Sequence, residues 1–137
     1  MSYLVDTNVL SELRRKTPNP QVVAWIQQRR PDSLYLSVLT LGELRKGIEM
    51  LADGDKRLQL QDWLENDLPA FFSGRVLVID EAVTHRWGRL QAAMGRPIPA
   101  VDSLLAAQAL QAGLKLVTRN VKDFAFPGLE VINPWSD

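Results

Sequence analysis

Residues 3–8 read Tyr-Leu-Val-Asp-Thr-Asn, an apolar run that ends in a carboxylate followed by two small polar residues. Because its apolar residues are consecutive rather than alternating, the run predicts a strand buried on both faces, as in a parallel sheet. In open α/β folds, ligands bind beyond the carboxyl ends of such strands. Asp6 is therefore expected at the edge of the sheet where a functional site forms.

Length and composition indicate one globular domain over residues 1–137. The chain is 46% hydrophobic and 23% charged, which suits a single domain with a substantial core. It has no cysteine, so a disulfide framework and a thiolate metal site are excluded. A metal would be held by oxygen or by the lone histidine, His85, and hard cations are favoured.

The charge balance gives no overall attraction to nucleic acid, since 16 basic residues offset 16 acidic ones. No apolar stretch approaches the roughly 20 residues that span a bilayer, and no basic region followed by an apolar one opens the chain. We expect a cytoplasmic protein without a membrane segment. Any contact with nucleic acid would depend on a local basic patch.

The rest of the chain alternates helix-like and strand-like segments, which is typical of βαβ units. The helices, predicted from apolar spacing and from capping residues, cover 9–15, 21–30, 40–51, 55–68, 81–94 and 100–112. The fifth is capped by Asp80 and Gly95, and Pro69 breaks or restarts the fourth. Further strands are predicted at 34–37, 75–79, 115–118 and 129–132, the last at an edge. This order predicts an α/β fold with a central, mostly parallel β-sheet flanked by helices.

Four acidic residues share one kind of position, at a strand end or near a helix start. They are Asp6, Glu43, Asp102 and Asp123. Carboxylates brought together raise one another's pKa, so a cluster is stable mainly when a cation bridges it. Mg²⁺ or Mn²⁺ fits best and would suit phosphodiester hydrolysis by an activated water. The chain also lacks a Walker phosphate loop, a Gly-x-Ser-x-Gly motif and a dinucleotide fingerprint, which agrees with this chemistry.

Each acid also has a purely structural interpretation. Residues 6–8 are all good N-cap types, and residues 40–43 match a capping box. Asp102 would sit in a first helical turn, where an acid is favourable anyway, and Asp123 could accept hydrogen bonds in a turn. The residues alone leave both interpretations open.

Four motifs in order resemble those of PIN-domain ribonucleases. They are Leu-Val-Asp-Thr-Asn at 4–8, Ser-Val-Leu-Thr-Leu-Gly-Glu-Leu at 37–44, Pro-Ala-Val-Asp at 99–102 and Thr-Arg-Asn-Val-Lys-Asp-Phe at 118–124. With the closing Asn-Pro-Trp at 133–135, the chain is similar over essentially its whole length to the VapC and FitB-like toxins of bacterial toxin-antitoxin pairs. The resemblance implies a single PIN-like domain and a metal-dependent endoribonuclease that uses Mg²⁺ or Mn²⁺.

The resemblance also implies the residues of the site. Asp6, Glu43 and Asp102 would form the catalytic, metal-binding core, with Asp123 as the fourth acid, whose role Asn120 could share or replace through its side-chain oxygen. Hydrogen bonds that orient the carboxylates would come from Thr7, Asn8, Ser37, Thr118 and Asn120. A basic rim for RNA phosphates has these candidates: Arg14, Arg15, Lys16, Arg45, Lys46, Arg119 and Lys122. His85 lies away from the motifs and receives no chemical role.

Protein partners are a further implication of the family. An antitoxin would lay a segment across the toxin and place a basic side chain in the acidic pocket, and DNA would be contacted only through that antitoxin. An apolar groove for the segment would use aromatic residues that equally suit a plain core, namely Trp25, Trp63, Phe71 and Phe72. A homodimer is implied by the resemblance alone.

Two other classes of protein are weighed beside the nuclease. One is a PIN-like module that binds RNA or protein without cutting. The other is a receiver-type phosphoacceptor domain, which would want an acidic pair where Thr7 and Asn8 stand.

Overall fold

The computed structural model describes residues 1–136 and contains a five-stranded sheet. Its strands are β1 (Tyr3–Val5), β2 (Leu34–Ser37), β3 (Val76–Leu77), β4 (Lys115–Val117) and β5 (Val131–Ile132). They lie in the order β3-β2-β1-β4-β5, and every adjacent pair is parallel. The first strand of the chain is therefore the central strand of the sheet, and the carboxyl ends of all five meet at one edge.

Seven α-helices connect these strands. They are α1 (Thr7–Leu13), α2 (Pro20–Gln27), α3 (Val38–Glu49), α4 (Asp55–Asp62), α5 (Leu68–Phe71), α6 (Glu81–Met94) and α7 (Ala100–Ala112). A π-helical turn over Trp63–Asp67 joins α4 to α5, and 3-10 turns cover Pro31–Ser33 and Val121–Phe124. None of the helices within residues 1–136 has the length and apolarity needed to cross a membrane.

The central strand is buried on both faces, as its consecutive apolar residues predict. Tyr3 and Val5 face one core and Leu4 the other, because successive side chains of a strand point to opposite faces. The first core includes Val9, Leu10, Val22, Trp25, Leu44 and Ile48 from α1, α2 and α3. The second includes Leu90, Leu105, Ala106, Ala109 and Leu116 from α6, α7 and β4. The sheet is thus covered by helices on both sides, which confirms the predicted α/β fold.

Helix α6 begins and ends at the predicted residues. The Asp80 carboxylate accepts a hydrogen bond from the Val83 backbone N–H at 2.9 Å, which caps the first turn. Gly95 ends the helix with a φ of 65°, a left-handed conformation that glycine adopts without steric cost. Helix α7 has the predicted bounds, and its alanines at 106 and 109 are fully buried.

The two edge strands are shorter than predicted. Residues 75–79 yield only Val76–Leu77, and residues 129–132 only Val131–Ile132. An edge strand pairs on one side alone, and Val78 is already 60% exposed beyond β3. A new helical segment begins near Pro69 as predicted, but the chain reaches it through the π-helical turn without leaving the helical conformation.

Candidate acidic site

Asp6 lies directly after β1 and is only 8% exposed. Its Oδ1 accepts a hydrogen bond from the Thr7 backbone N–H at 2.8 Å, so the residue caps α1. Its Oδ2 accepts one from the Thr118 hydroxyl at 2.8 Å, and Asn8 Nδ2 lies 3.5 Å away. The capping interpretation is therefore correct for one carboxylate oxygen. The other oxygen accepts its hydrogen bond from Thr118, directly after β4, and an N-cap does not require this bond.

Thr7 connects Glu43 to Asp6 through hydrogen bonds. The Thr7 hydroxyl donates to Glu43 Oε1 at 2.5 Å, and its oxygen lies 3.1 Å from that of Thr40. The capping-box interpretation of residues 40–43 is wrong, because α3 begins at Val38 and is capped by Ser37. Glu43 instead ties the middle of α3 to the start of α1.

Asp102 lies in the first turn of α7 and completes a group of three acids. Asp6, Glu43 and Asp102 line one open cavity of about 540 Å³. The other residues that line it are Thr7, Asn8, Ser11, Glu12, Arg15, Arg119, Asn120 and Trp135. Three acids predicted from different segments of the sequence therefore meet at the carboxyl edge of the sheet.

Negative charge is in excess in this cavity. Burial raises the pKa of the Asp6 carboxyl, the hydrogen bonds from Thr118 and Thr7 oppose that rise, and the charges of Glu43 and Asp102 add to it. The pKa of Asp102 is raised first by burial and then by Asp123 and Glu43. Raised pKa values on neighbouring carboxylates are the condition that a bound cation relieves.

Two residues lie beside the three acids and could complete the site, namely Asn120 and Asp123. Asn120 lines the cavity, and its backbone N–H donates to the Thr118 hydroxyl oxygen at 3.1 Å. Asp123 lies in the 3-10 turn, where it is exposed, and it does not line the cavity. It is nevertheless close enough to Asp102 to raise the pKa of that carboxyl. The structure keeps both residues beside the acidic group, with Asn120 nearer the cavity.

The small polar residues divide into two groups. Asn8 Nδ2 donates a hydrogen bond to the Thr118 hydroxyl oxygen at 3.2 Å, so both side chains belong to the hydrogen-bond network around Asp6. Ser37 stands outside it, because its hydroxyl donates to Gln108 Oε1 at 2.5 Å and accepts from the Leu39 backbone at 3.0 Å. Its hydrogen bonds fix the end of β2 against α7 and cap α3, and do not reach a carboxylate.

The basic candidates also separate. Arg15 and Arg119 line the acidic cavity. Arg45 is paired with Glu65 at 2.9 Å, and Lys46 lies in a neighbouring cavity on the other side of Glu43. The remaining candidates are exposed residues that do not line the acidic cavity: Arg14, Lys16 and Lys122.

One acid of the cavity was missed by the sequence argument. Glu12 is 4% exposed, and its pKa is lowered by hydrogen bonds from the Asn19 backbone N–H, which contributes most, and from Arg15, and also by the nearby Trp135 side chain. Its pairing with Arg15 three residues later is a helical spacing that could have indicated it. Its contact with Trp135 carries no local signal.

The donor set of the cavity suits a hard cation. Carboxylate, hydroxyl and amide oxygens are available, whereas His85 lies on α6 and contacts Glu81 at 3.8 Å. Within residues 1–136, no three acids already stand close enough to hold an ion together. Mg²⁺ is commonly held by one or two carboxylates and keeps several waters. The fit therefore rests on charge and donor chemistry, without a closed cage of ligands.

The fold and this cavity define an α/β protein with an acidic site at the carboxyl edge of a parallel sheet. The family model described as PIN domain matches residues 3–125. The chain belongs to the PIN-domain family. This membership also makes the receiver-type interpretation wrong.

Relatives of known name refine the assignment. Toxin FitB of Neisseria gonorrhoeae is 38% identical to this chain over 98% of it and 99% of FitB. VapC ribonuclease Y4jK of Sinorhizobium fredii is 36% identical over 96% of each protein. These relatives, named as a toxin and as a VapC ribonuclease, confirm the resemblance carried by the four motifs.

Solved structures give the same assignment. The crystal structure of FitAcB from Neisseria gonorrhoeae superposes with a TM-score of 0.90 at 38% identity, covering 97% of this chain and 98% of the other. A toxin-antitoxin complex from Klebsiella pneumoniae superposes with a TM-score of 0.74 at 25% identity, covering 97% and 98%. The fold is thus shared with proteins solved as toxin-antitoxin assemblies.

Proposed function

We propose that this chain is a metal-dependent endoribonuclease, the toxin of a toxin-antitoxin pair, which hydrolyses RNA phosphodiesters in the cytoplasm. The observation that carries the proposal is the meeting of Asp6, Glu43 and Asp102 in one cavity, where the pKa values of two of these acids are raised. The ribonuclease and toxin names of the relatives support it. Mg²⁺ or Mn²⁺ is the proposed cofactor.

Asp6, Glu43 and Asp102 would hold the cation, with Asn120 or Asp123 completing the site. When bound, the cation supplies activation of water and stabilisation of the leaving oxygen's charge. The hydroxyls of residues 7 and 118 keep Glu43 and Asp6 in fixed orientations, since each donates to one carboxylate oxygen. Pre-oriented carboxylates lose little freedom on binding, which favours both metal affinity and rate.

The test is RNA cleavage with Mg²⁺ or Mn²⁺ by the wild type, Asp6→Asn and Asp102→Asn. Both variants should lose at least about 10- to 100-fold in rate, because each removes a charge that holds the cation. The matched control is Asp32→Asn, which removes an exposed carboxylate paired with Arg30 at 3.0 Å and should cleave like the wild type. Equal cleavage by all four proteins would overturn the proposal.

An antitoxin segment is the proposed protein partner, and a run of three adjoining cavities supports its path. An apolar cavity of about 420 Å³ is lined in part by Trp63 and the 46% exposed Phe71. It shares Arg14 and Trp63 with a cavity of about 290 Å³, which in turn shares Thr7 and Glu43 with the acidic cavity. Phe72 lines the same apolar cavity although it is only 3% exposed, whereas Trp25 is a core residue that lines none of the three cavities, so three of the four predicted aromatic residues lie on this path.

This arrangement suits a segment with apolar side chains followed by a basic one. The apolar part would cover the exposed aromatic residues, and the basic side chain would enter the acidic cavity and compete with the cation. The structural similarity to a toxin-antitoxin complex supports such a partner. DNA contact, in this proposal, comes only through the antitoxin.

A homodimer is also proposed, through a cavity that adjoins the acidic cavity at Glu43. Met50 is 76% exposed and Val101 is 43% exposed, and both line a cavity of about 560 Å³ between α3 and α7. A second copy placed on this face by a two-fold axis would bury the same apolar residues twice. The double variant Met50→Lys with Val101→Lys should be monomeric by light scattering, while Val121→Lys, at another exposed valine, should remain dimeric. A monomeric wild type would overturn the dimer.

A further inference from the structure

Glu12 differs electrostatically from the acids that share its cavity. It is nearly inaccessible, and it lines the cavity with Asp6 and Asp102. Their pKa values are raised, whereas the pKa of Glu12 is lowered, first by the hydrogen bond from the Asn19 backbone and also by Arg15 and Trp135. The charge of Glu12 is thus already compensated by protein donors. It has no need of a cation.

The carboxylate of Glu12 joins three separate segments of the chain. The Asn19 backbone N–H donates to its Oε2 at 2.9 Å from the loop before α2. Arg15 Nη1 lies 3.2 Å from both of its oxygens. The Trp135 side chain, from the C-terminal segment, lies close enough to this carboxylate to lower its pKa, and both residues line the acidic cavity. One buried acid therefore fixes the end of α1, the following loop and the C-terminal segment against one another.

The C-terminal contact continues to a second arginine. The Arg119 guanidinium carbon lies 5.1 Å from the centroid of the Trp135 ring, within the range of a cation–π interaction. The Arg119 backbone N–H also donates to Asn8 Oδ1 at 3.3 Å, which anchors this residue beside the acidic group. Arg15 and Arg119 both line the cavity, so Glu12 positions one guanidinium directly and the other through Trp135.

We propose that Glu12 is a positioning residue which, with Trp135, holds Arg15 and Arg119 as two phosphate-binding groups for the RNA strand that enters the acidic cavity. The inference rests on the proposed function. RNA is repelled by the carboxylates, and a chain of zero net charge must supply local positive charge to offset that repulsion. Guanidinium groups bind phosphate oxygens with a fixed fork geometry, and held in place they lose less side-chain freedom on binding.

Arg15 keeps N–H donors that can bind an RNA phosphate. It is 63% exposed, and among its contacts within residues 1–136 only Nη1 bonds to Glu12. Arg119 is likewise exposed, and its guanidinium is positioned by the face of the Trp135 indole rather than by a carboxylate. Both groups are oriented without being neutralised by the acids of the metal site.

The experiment measures RNA binding in EDTA over a range of salt, and cleavage kinetics with Mg²⁺, for the wild type, Glu12→Gln and Trp135→Phe. Trp135→Phe keeps an aromatic ring and removes the indole N–H, so it tests the inference even where Glu12→Gln folds poorly. Both variants should raise KM more than they lower kcat. The slope of log affinity against log salt should fall by about 0.7 for each RNA phosphate that the variant no longer binds. Arg15→Gln and Arg119→Gln should each produce the same fall.

Glu130→Gln is the control, because it removes an ion pair with Lys115 of 2.7 Å that lies outside the cavity. Its salt slope and KM should equal those of the wild type. If the wild type binds and cuts RNA while Glu12→Gln and Trp135→Phe keep its salt slope, the positioning role is wrong and the proposed function stands. If the wild type neither binds nor cuts RNA, both are overturned.

Discussion

The hydroxyl of Thr118 donates to Asp6 Oδ2 at 2.8 Å and joins residues separated by 112 positions in the chain. Their meeting follows from the sheet, because Val5 of β1 is in register with Val117 of β4. The residues that come next on two parallel, adjacent strands must lie side by side at the carboxyl edge. The register of the sheet therefore builds the centre of the acidic site.

Removing this hydroxyl should destabilise the protein. In Thr118→Val the shape is kept, but the buried Asp6 carboxylate loses a donor, which costs about 1–3 kcal/mol of unfolding free energy. Urea denaturation measures the change. The control, Thr84→Val, loses a hydroxyl that bonds the Glu81 carbonyl on the surface and should change stability by less than about 0.5 kcal/mol. Equal effects of the two substitutions would show that the bond to Asp6 has no special weight.

The raised pKa of Asp102 predicts a pH dependence with a definite sign. The folded protein holds this proton more tightly than the unfolded chain, whose carboxyl titrates near about 3.9. The unfolding free energy of the metal-free protein should therefore fall as pH rises from about 4 through the raised pKa. Asp102→Asn removes this titration.

Urea denaturation in EDTA at several pH values between about 4 and 7 checks the effect. The curve of Asp102→Asn should fall less steeply with pH than that of the wild type. Because Asn keeps the size of the side chain, packing is matched between the two proteins. If the unfolding free energies of the two proteins change with pH in parallel, the Asp102 carboxylate is not destabilised in the folded protein by burial and by the neighbouring acids.

The exposed aromatic surface predicts a separation of partner binding from catalysis. Phe71→Ser should weaken binding of the proposed antitoxin by about tenfold or more, because a largely buried aromatic contact contributes on the order of 2 kcal/mol to an interface. RNA cleavage should be unchanged, since Phe71 lines only the apolar cavity. Calorimetric titration with the purified antitoxin measures the affinity.

Leu58→Ser is the matched control for this prediction. Leu58 is 63% exposed on α4 and lies outside the three cavities, so its loss should leave antitoxin affinity unchanged. Equal weakening by both substitutions would place the antitoxin elsewhere. Unchanged affinity in Phe71→Ser would do the same.

The sequence predicts those elements whose burial leaves a simple pattern. Central strand β1 has apolar residues in succession because it packs on both faces, and α7 has alanines where it lies close to its neighbours. The lengths of the edge strands are harder to predict. An edge strand pairs on one side only, so it can end before an apolar residue such as Val78, which is left exposed. The π-helical turn has no signature, because Leu60, Leu64 and Leu68 keep an α-helical spacing through it.

The positions of the acids in the site can be predicted from the sequence more readily than the hydrogen bonds that orient them. Asp6 can be inferred because it directly follows a parallel strand, and Asp102 because it lies in the first turn of a helix that starts at the same edge of the sheet and leads back into β4. The bond from Thr7 to Glu43 spans 36 residues, and the local motif at residues 40–43 suggested a cap that does not form. Glu12 escaped notice because it interacts with Trp135 at the far end of the chain.

The proposed cation site is tested by measuring Mn²⁺ binding with electron paramagnetic resonance, in the absence of RNA, for the wild type, Asp6→Asn and Asp32→Asn. Asp6, directly after β1, is proposed to share one cation with Glu43 of α3 and Asp102 of α7. The wild type and Asp32→Asn should bind Mn²⁺ with equal affinity, and Asp6→Asn should bind at least about tenfold more weakly. Equal affinity in all three proteins, or no binding by the wild type, would contradict a shared cation site.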